Sequence, residues 1–155
     1  MPAKKLKQLL DERSIKYISI NHSPAYTARE TAASTFVPRR EFAKTIIVDL
    51  DGDKVMTVVS ASRHVDLARL RSLAGADKAR LATEDEFKSL FPDCELGAMP
   101  PFGSLYQMPI YVDEMVTEVD DLCFNAGSHE QIMRMSCADY LQFEQPLVGV
   151  FAVKE

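Results

Sequence analysis

The chain has 155 residues, 46% hydrophobic and 26% charged, the balance of a globular domain; disordered, collagen-like and coiled-coil classes are excluded. No apolar run approaches the ~20 residues a membrane span needs, and the charged N-terminus lacks the apolar stretch of a signal peptide. The expectation is one cytoplasmic domain over residues 1–155. Eighteen basic against 23 acidic side chains leave a net charge of −5. That argues against coating duplex DNA through many phosphates, but not against gripping a few phosphates at one end of a nucleic acid.

In chain order, Ala3 to Glu12 sets Leu6, Leu9 and Leu10 at helical spacing, and Ile15 to Ile20 reads as a short strand. Thr27 with Glu30 forms a capping box, which predicts a helix to about Thr35. Phe42 to Leu50 and Lys54 to Ser60 are β-branched runs around Asp51-Gly52-Asp53, a strong hairpin signal. Val65 to Leu73 reads as a helix ended by Gly75, and Lys78 to Leu81 as a strand. Thr83 and Glu86 make a second capping box for a helix that Pro92 stops. After a loop from Cys94 to Tyr106, strands are expected at Pro109–Val112, Leu122–Asn125, Gln131–Met135 and Leu147–Val153, with a helix at Ala138–Phe143. Strands and helices mix without regular βαβ alternation, which points to an α+β domain: a mixed, largely antiparallel central sheet flanked by short helices.

Several standard sites are missing. There is no GxGxxG, P-loop, GxSxG or HExxH pattern, and Cys94, Cys123 and Cys137 include no CxxC pair. No metal or cofactor is expected. A nucleophilic pair of Cys137 with His129 competes with the plainer expectation of buried free thiols.

Lys44 stands out. Strand alternation puts it on one face with Phe42, Ile46, Val48 and Leu50, the likelier core face, while Ala43, Thr45 and Ile47 take the other. A lysine there either snorkels to the rim or presents a fixed charge at a pocket mouth. Three further segments are informative: Glu95 to Gly103, a stiff glycine–proline loop; Phe124-Asn125-Ala126-Gly127-Ser128-His129, a strand running into a turn; and Asn21-His22-Ser23-Pro24. Each taken alone also suits an ordinary connection.

Together, and in this order, His22-Ser-Pro-Ala-Tyr-Thr-Ala-Arg-Glu, Phe42-Ala-Lys44-Thr, Gly97-x-x-x-Pro101 with Phe102-Gly103, and Asn125-Ala-Gly127-x-His129 resemble the YbaK-type aminoacyl-tRNA editing family. Its members include free-standing deacylases and the editing domain inserted in bacterial prolyl-tRNA synthetase. The resemblance implies hydrolysis of the ester joining a wrong small amino acid to a tRNA, with proline tRNA as the first candidate and a synthetase as a second candidate partner. It implies catalytic roles for Lys44 and His129, and substrate contacts from His22, Gly97, Pro101, Phe102, Asn125 and Gly127. Thr45 stands where alanine-specific members often have asparagine, so the amino acid removed is open. His129 and the tRNA's own ribose hydroxyl are alternative activators of the water. Arg39, Arg40, Arg80 and Arg134 are candidates for a basic rim. The competing expectations are a module that binds aminoacyl-tRNA or a nucleotide without hydrolysis, and a domain acting only through a protein partner.

Overall fold

The computed structural model describes residues 4–21 and 37–154. Helix α1 (Lys4–Glu12) leads into β1 (Tyr17–Asn21). A 3-10 turn at Arg39–Glu41 opens β2 (Phe42–Leu50), which folds back as β3 (Asp53–Ser60), followed by β4 (Arg63–Val65). Then come α2 (Leu67–Ala74), β5 (Ala79–Leu81) and α3 (Glu84–Phe87), the last continued by a 3-10 turn at Lys88–Leu90. After a 3-10 turn at Gly103–Tyr106, the chain forms β6 (Ile110–Asp113), β7 (Asp121–Ser128) and β8 (Gln131–Ser136). It closes with α4 (Cys137–Glu144), β9 (Leu147–Gly149) and β10 (Ala152–Lys154). The helix expected at Thr27–Thr35, and His22, lie outside the described residues. No described helix is long and apolar enough to cross a membrane.

The main sheet runs β1-β8-β7-β2-β3-β6-β9, with β5 also on β2, and β10 pairs β4 separately. The β2–β3, β7–β8, β1–β8 and β2–β5 pairs are antiparallel; β2–β7, β3–β6 and β6–β9 are parallel. This is the expected α+β domain with a mixed sheet and short flanking helices.

The hairpin forms as its turn residues dictate. Asp51 and Gly52 take φ of 52° and 94°, the left-handed conformation that a two-residue turn between right-twisted strands requires. Asp66 caps α2 by accepting from Arg69 N–H at 3.1 Å, and Gly75, at φ 68°, ends it. Helix α2 therefore starts two residues later than its pattern suggested, and Arg63–Val65 is a strand. The single strand expected over Leu147–Val153 is in fact two strands in different sheets. Buried Asp113 is the cause: its Oδ1 accepts from Phe151 and Ala152 N–H, both at 2.9 Å, and holds the chain as it crosses over.

One expectation about β2 needs correcting. Both its faces are covered. Ala43 and Ile47 join the largest cluster with Met56, Val58, Phe102, Phe124 and Tyr140. Val48 and Leu50 meet Val59, Leu70 and Phe151 on the other side, where Phe42 packs with Cys123 and Ile132. Alternation marks a core face only when the opposite face is wet, and a central strand covered on both sides carries no such mark.

Candidate functional site

The site begins where β2 loses a neighbour. Along one edge β2 pairs with β3 throughout. Along the other it pairs with β7 only at Phe42 and Ala43, and with β5 only at Val48 to Leu50. Ala82 N–H extends the second contact to the Ile47 carbonyl at 3.0 Å. Lys44, Thr45 and Ile46 face the gap between these partners, and Lys44 is half-buried there. Phe42 lies beside Cys123 and Ala43 beside Phe124. Residues aligned across parallel strands point to the same side, so Lys44 and Asn125 project together from one side of the sheet.

Beyond Asn125, strand β7 bulges. Its register with β8 shifts between Asn125 and Ser128, and Gly127 takes φ 98°. The bulge turns the backbone out of the ladder and hands it to the Gly97 loop. Gly127 N–H donates to the Ala98 carbonyl at 2.8 Å, and Glu95 N–H donates to the Gly127 carbonyl at 2.8 Å. His129 Nε2 lies 2.7 Å from the Leu96 carbonyl, and its backbone N–H lies 3.4 Å from Glu95 Oε2. A carbonyl can only accept, so Nε2 carries the proton. Gly97 itself has φ 84°, and a methyl group there would meet His129 Cε1 at 3.4 Å. The two glycine segments thus form one rigid unit latched by the imidazole.

The far end of the loop is anchored in the core. Phe102 has no exposed surface, and its ring packs edge-on against Phe124, Tyr140 and Phe143. The fully buried Tyr140 hydroxyl donates to the Pro101 carbonyl at 2.6 Å. Glu144 accepts from Ser104 N–H at 3.1 Å, and burial pushes its carboxyl above the ordinary value.

The residues singled out from sequence sort clearly. Lys44, Asn125, Gly127, His129 and Gly97 occupy the gap and the bulge. Phe102, expected to touch substrate, is enclosed and anchors the loop instead; Pro101 offers its carbonyl to Tyr140. His129 is 7% exposed and its Nδ1 is shielded from solvent, which suits a latch better than a base working on water. Arg80 and Arg134 are held by acids. Arg80 binds Glu86 through two contacts of 2.7 Å and Asp49 at 3.2 Å, and Arg134 lies 3.2 Å from Asp121 and 3.7 Å from Glu41.

A cysteine nucleophile is not supported. Cys137 Sγ donates to the Val116 carbonyl, burial raises its pKa, and burial pushes the Cys123 thiol to about 11. The described residues contain no group of His, Cys, Asp and Glu that could hold a metal. Sequence reasoning missed Tyr140, which carries no motif, and it placed Glu95 in the informative loop without giving it a role. It also missed that the hydroxyl of Thr45 and the Oδ1 of Asn125, on residues 8% and 6% exposed, are buried with no hydrogen-bond partner among the described residues.

Residues 22–143 match the family model described as the aminoacyl-tRNA editing domain. A multifunctional Ser/Thr-tRNA deacylase of Escherichia coli K12 is 31% identical over 109 residues, 67% of this chain and 65% of the relative. A proline–tRNA ligase of Staphylococcus aureus strain Newman is 33% identical over 106 residues, 65% of this chain but 18% of the ligase. The alignments therefore span less than two thirds of either relative. Among solved structures, a hypothetical protein, APE2540, superimposes with a TM-score of 0.87 at 20% identity, covering 96% of this chain and 99% of the other. A candidate trans-editing enzyme for prolyl-tRNA synthetase superimposes with a TM-score of 0.81 at 23% identity, covering 99% and 97%. At these identities the two structures speak for the fold.

Proposed function

The chain belongs to the aminoacyl-tRNA editing domain family, and on that premise we propose that it is a trans-editing deacylase. It hydrolyses the ester that joins a mischarged small amino acid to the terminal adenosine of a tRNA, and proline tRNA is the first substrate to test. The single observation that carries this reading is the latched pair of glycine segments beside Lys44. Gly127 and Ala98 are tied at 2.8 Å, His129 and Leu96 at 2.7 Å, and both lie at the point where β2 is left without a neighbour.

An aminoacyl ester is already activated, so the protein need not build a strong nucleophile. It has to position the ester, admit one water and stabilise the oxyanion. In this proposal the Lys44 ammonium neutralises charge on the terminal phosphate or on the developing oxyanion. Backbone groups of the 95–98 and 125–128 segments hold the adenosine. Water adds to the ester carbonyl, the bond to the ribose oxygen breaks, and the proton lost by water ends on that oxygen. His129 keeps Nε2–H on the Leu96 carbonyl throughout, so the neighbouring ribose hydroxyl orients the water. Selection comes from fit: one methylene is worth only ~1–3 kcal/mol in a binding pocket, and a second, small site that hydrolyses what enters supplies the rest.

The test is single-turnover deacylation of proline and other tRNAs charged with alanine, cysteine, serine, threonine or 2-aminobutyrate, by wild type and Lys44→Ala. Hydrolysis of at least one of these, lost in the variant, is the expected result. Binding of charged tRNA without hydrolysis would replace the enzyme by a binding module.

A further inference from the structure

The acceptor end of a tRNA is a short strand leading into a charged stem, and a protein of net charge −5 must concentrate cations where that stem lies. With Arg80 and Arg134 held by carboxylates, Arg39 and Arg40 remain from the rim expected on sequence. Both are exposed, and neither makes an ion pair or side-chain hydrogen bond with a described residue.

The fold brings two more cations to them. Ser60, at the end of β3, donates from Oγ to the Arg39 carbonyl at 3.2 Å, and the same hydroxyl lies 3.0 Å from Ser62 Oγ. The turn from β3 to β4 therefore abuts the Arg39–Glu41 turn. Arg63 follows directly, and antiparallel pairing of β4 with β10 sets Lys154 opposite it. Arg63 and Lys154 likewise make no ion pair with a described residue. Two carboxylates adjacent in sequence are engaged elsewhere: Glu41 faces Arg134, and Asp66 caps α2.

The order along the sheet adds direction. Strands β2 and β7 run parallel. The Arg39–Arg40 turn precedes Lys44 on the chain, at the N-terminal start of β2, and Gly127 lies past Lys44 in the same sense. Lys44 thus stands between a basic ledge and the latched glycine segments.

We propose that the ledge of Arg39, Arg40, Arg63 and Lys154 carries the phosphates of the tRNA acceptor stem, while the terminal adenosine passes Lys44 to the glycine segments. This rests on the deacylase reading and assigns the stem's landing surface. Phosphates give affinity and register without reading bases, so the ledge sets how firmly tRNA is held and leaves the chemical step alone.

The experiment compares wild type with a variant carrying Arg39→Gln, Arg40→Gln, Arg63→Gln and Lys154→Gln. Substrates are a full mischarged tRNA and a short CCA fragment bearing the same ester. On tRNA the variant's KM rises at least about tenfold at 0.1 M salt with kcat unchanged. The slope of log kcat/KM against log salt flattens by about 3, at roughly 0.7–0.9 per phosphate contact removed. On the fragment the two proteins are equal, and their melting temperatures agree. An unchanged KM and salt slope on tRNA overturns the ledge while Lys44-dependent hydrolysis still stands, and so does an equal loss on both substrates. If wild type hydrolyses neither substrate, the deacylase reading itself fails.

Discussion

The two ends of β2 are built on opposite principles. At its C-terminal end the buried Asp49 anchors a matched network. Asp49 accepts from Gly52 N–H at 2.8 Å, Lys54 at 2.7 Å and Arg80 at 3.2 Å; Arg80 grips Glu86, and Glu86 closes the Thr83 capping box. Turn, strand and helix are tied into one network. At its N-terminal end, around Lys44, the Thr45 hydroxyl and Asn125 Oδ1 are buried without hydrogen-bond partners among the described residues, and the exposed Arg39 and Arg40 make no ion pair with a described residue. Folding matches buried polar groups wherever nothing else is required of them. Where it leaves them unmatched, a ligand is the economical explanation.

The largest expected effect separates two lysines on adjacent strands. Lys44→Ala should lower deacylation by about a hundredfold or more and leave the melting temperature unchanged. Lys54→Ala should do the reverse, lowering the melting temperature while kcat and KM hold. Rate measurements and thermal melts on both proteins check this. Equal behaviour of the two variants would dissolve the contrast between the ends of the strand.

Next in size is Tyr140→Phe. The change keeps the ring that packs on Phe102 but leaves the Pro101 carbonyl without its donor. An unsatisfied buried carbonyl costs about 1–3 kcal/mol, a fall in Tm of roughly 2–12 °C for a domain of this size. Because the freed carbonyl belongs to the loop that carries Gly97, KM should rise as well. Stability lost without any change in KM would confine Tyr140 to the core.

What could be seen in the sequence follows the range of the forces involved. The hairpin at Asp51-Gly52 and the Thr83–Glu86 capping box are settled within a few residues, and both stand as expected. The segments carrying Gly97 and Gly127 are joined by hydrogen bonds, and Lys44 lies one residue past the pairing of β2 with β7. Partners drawn from far along the chain could not be seen. Arg80 meets Asp49 across 31 residues and Tyr140 meets Pro101 across 39. A run of residues shows that an arginine is present, not that a distant carboxylate already holds it. For the same reason Phe102 looked like a contact residue: its motif fixes its place in the loop, whereas its burial is decided by Phe124, Tyr140 and Phe143.

Acid should act first on the matched end. Hydrogen bonds from Lys54 and Gly52 hold the Asp49 carboxyl below its ordinary value, and those from Arg80 and Thr83 hold Glu86 well below. A carboxyl lowered in the folded state stabilises the protein above its unfolded pKa, and that stability is lost as pH falls through the folded value. Stability should therefore decline from about pH 4 downward, and Asp49→Asn should flatten the decline. Denaturant midpoints taken across that range measure it. A decline insensitive to Asp49→Asn would remove the network from the account.

The smallest effect probes the unmatched end directly. Thr45→Val keeps the side-chain shape and removes a buried hydroxyl that has no partner. Substituting a satisfied threonine this way is destabilising, because its partner is stranded. Here nothing is stranded, so stability should hold or rise by about 1 kcal/mol, seen as a Tm higher by roughly 2–4 °C. Deacylation should weaken in the same variant, since the hydroxyl is then a group kept for substrate at the expense of the fold. A Tm that falls would show that Thr45 is matched after all, and the two ends of β2 would then differ in charge alone.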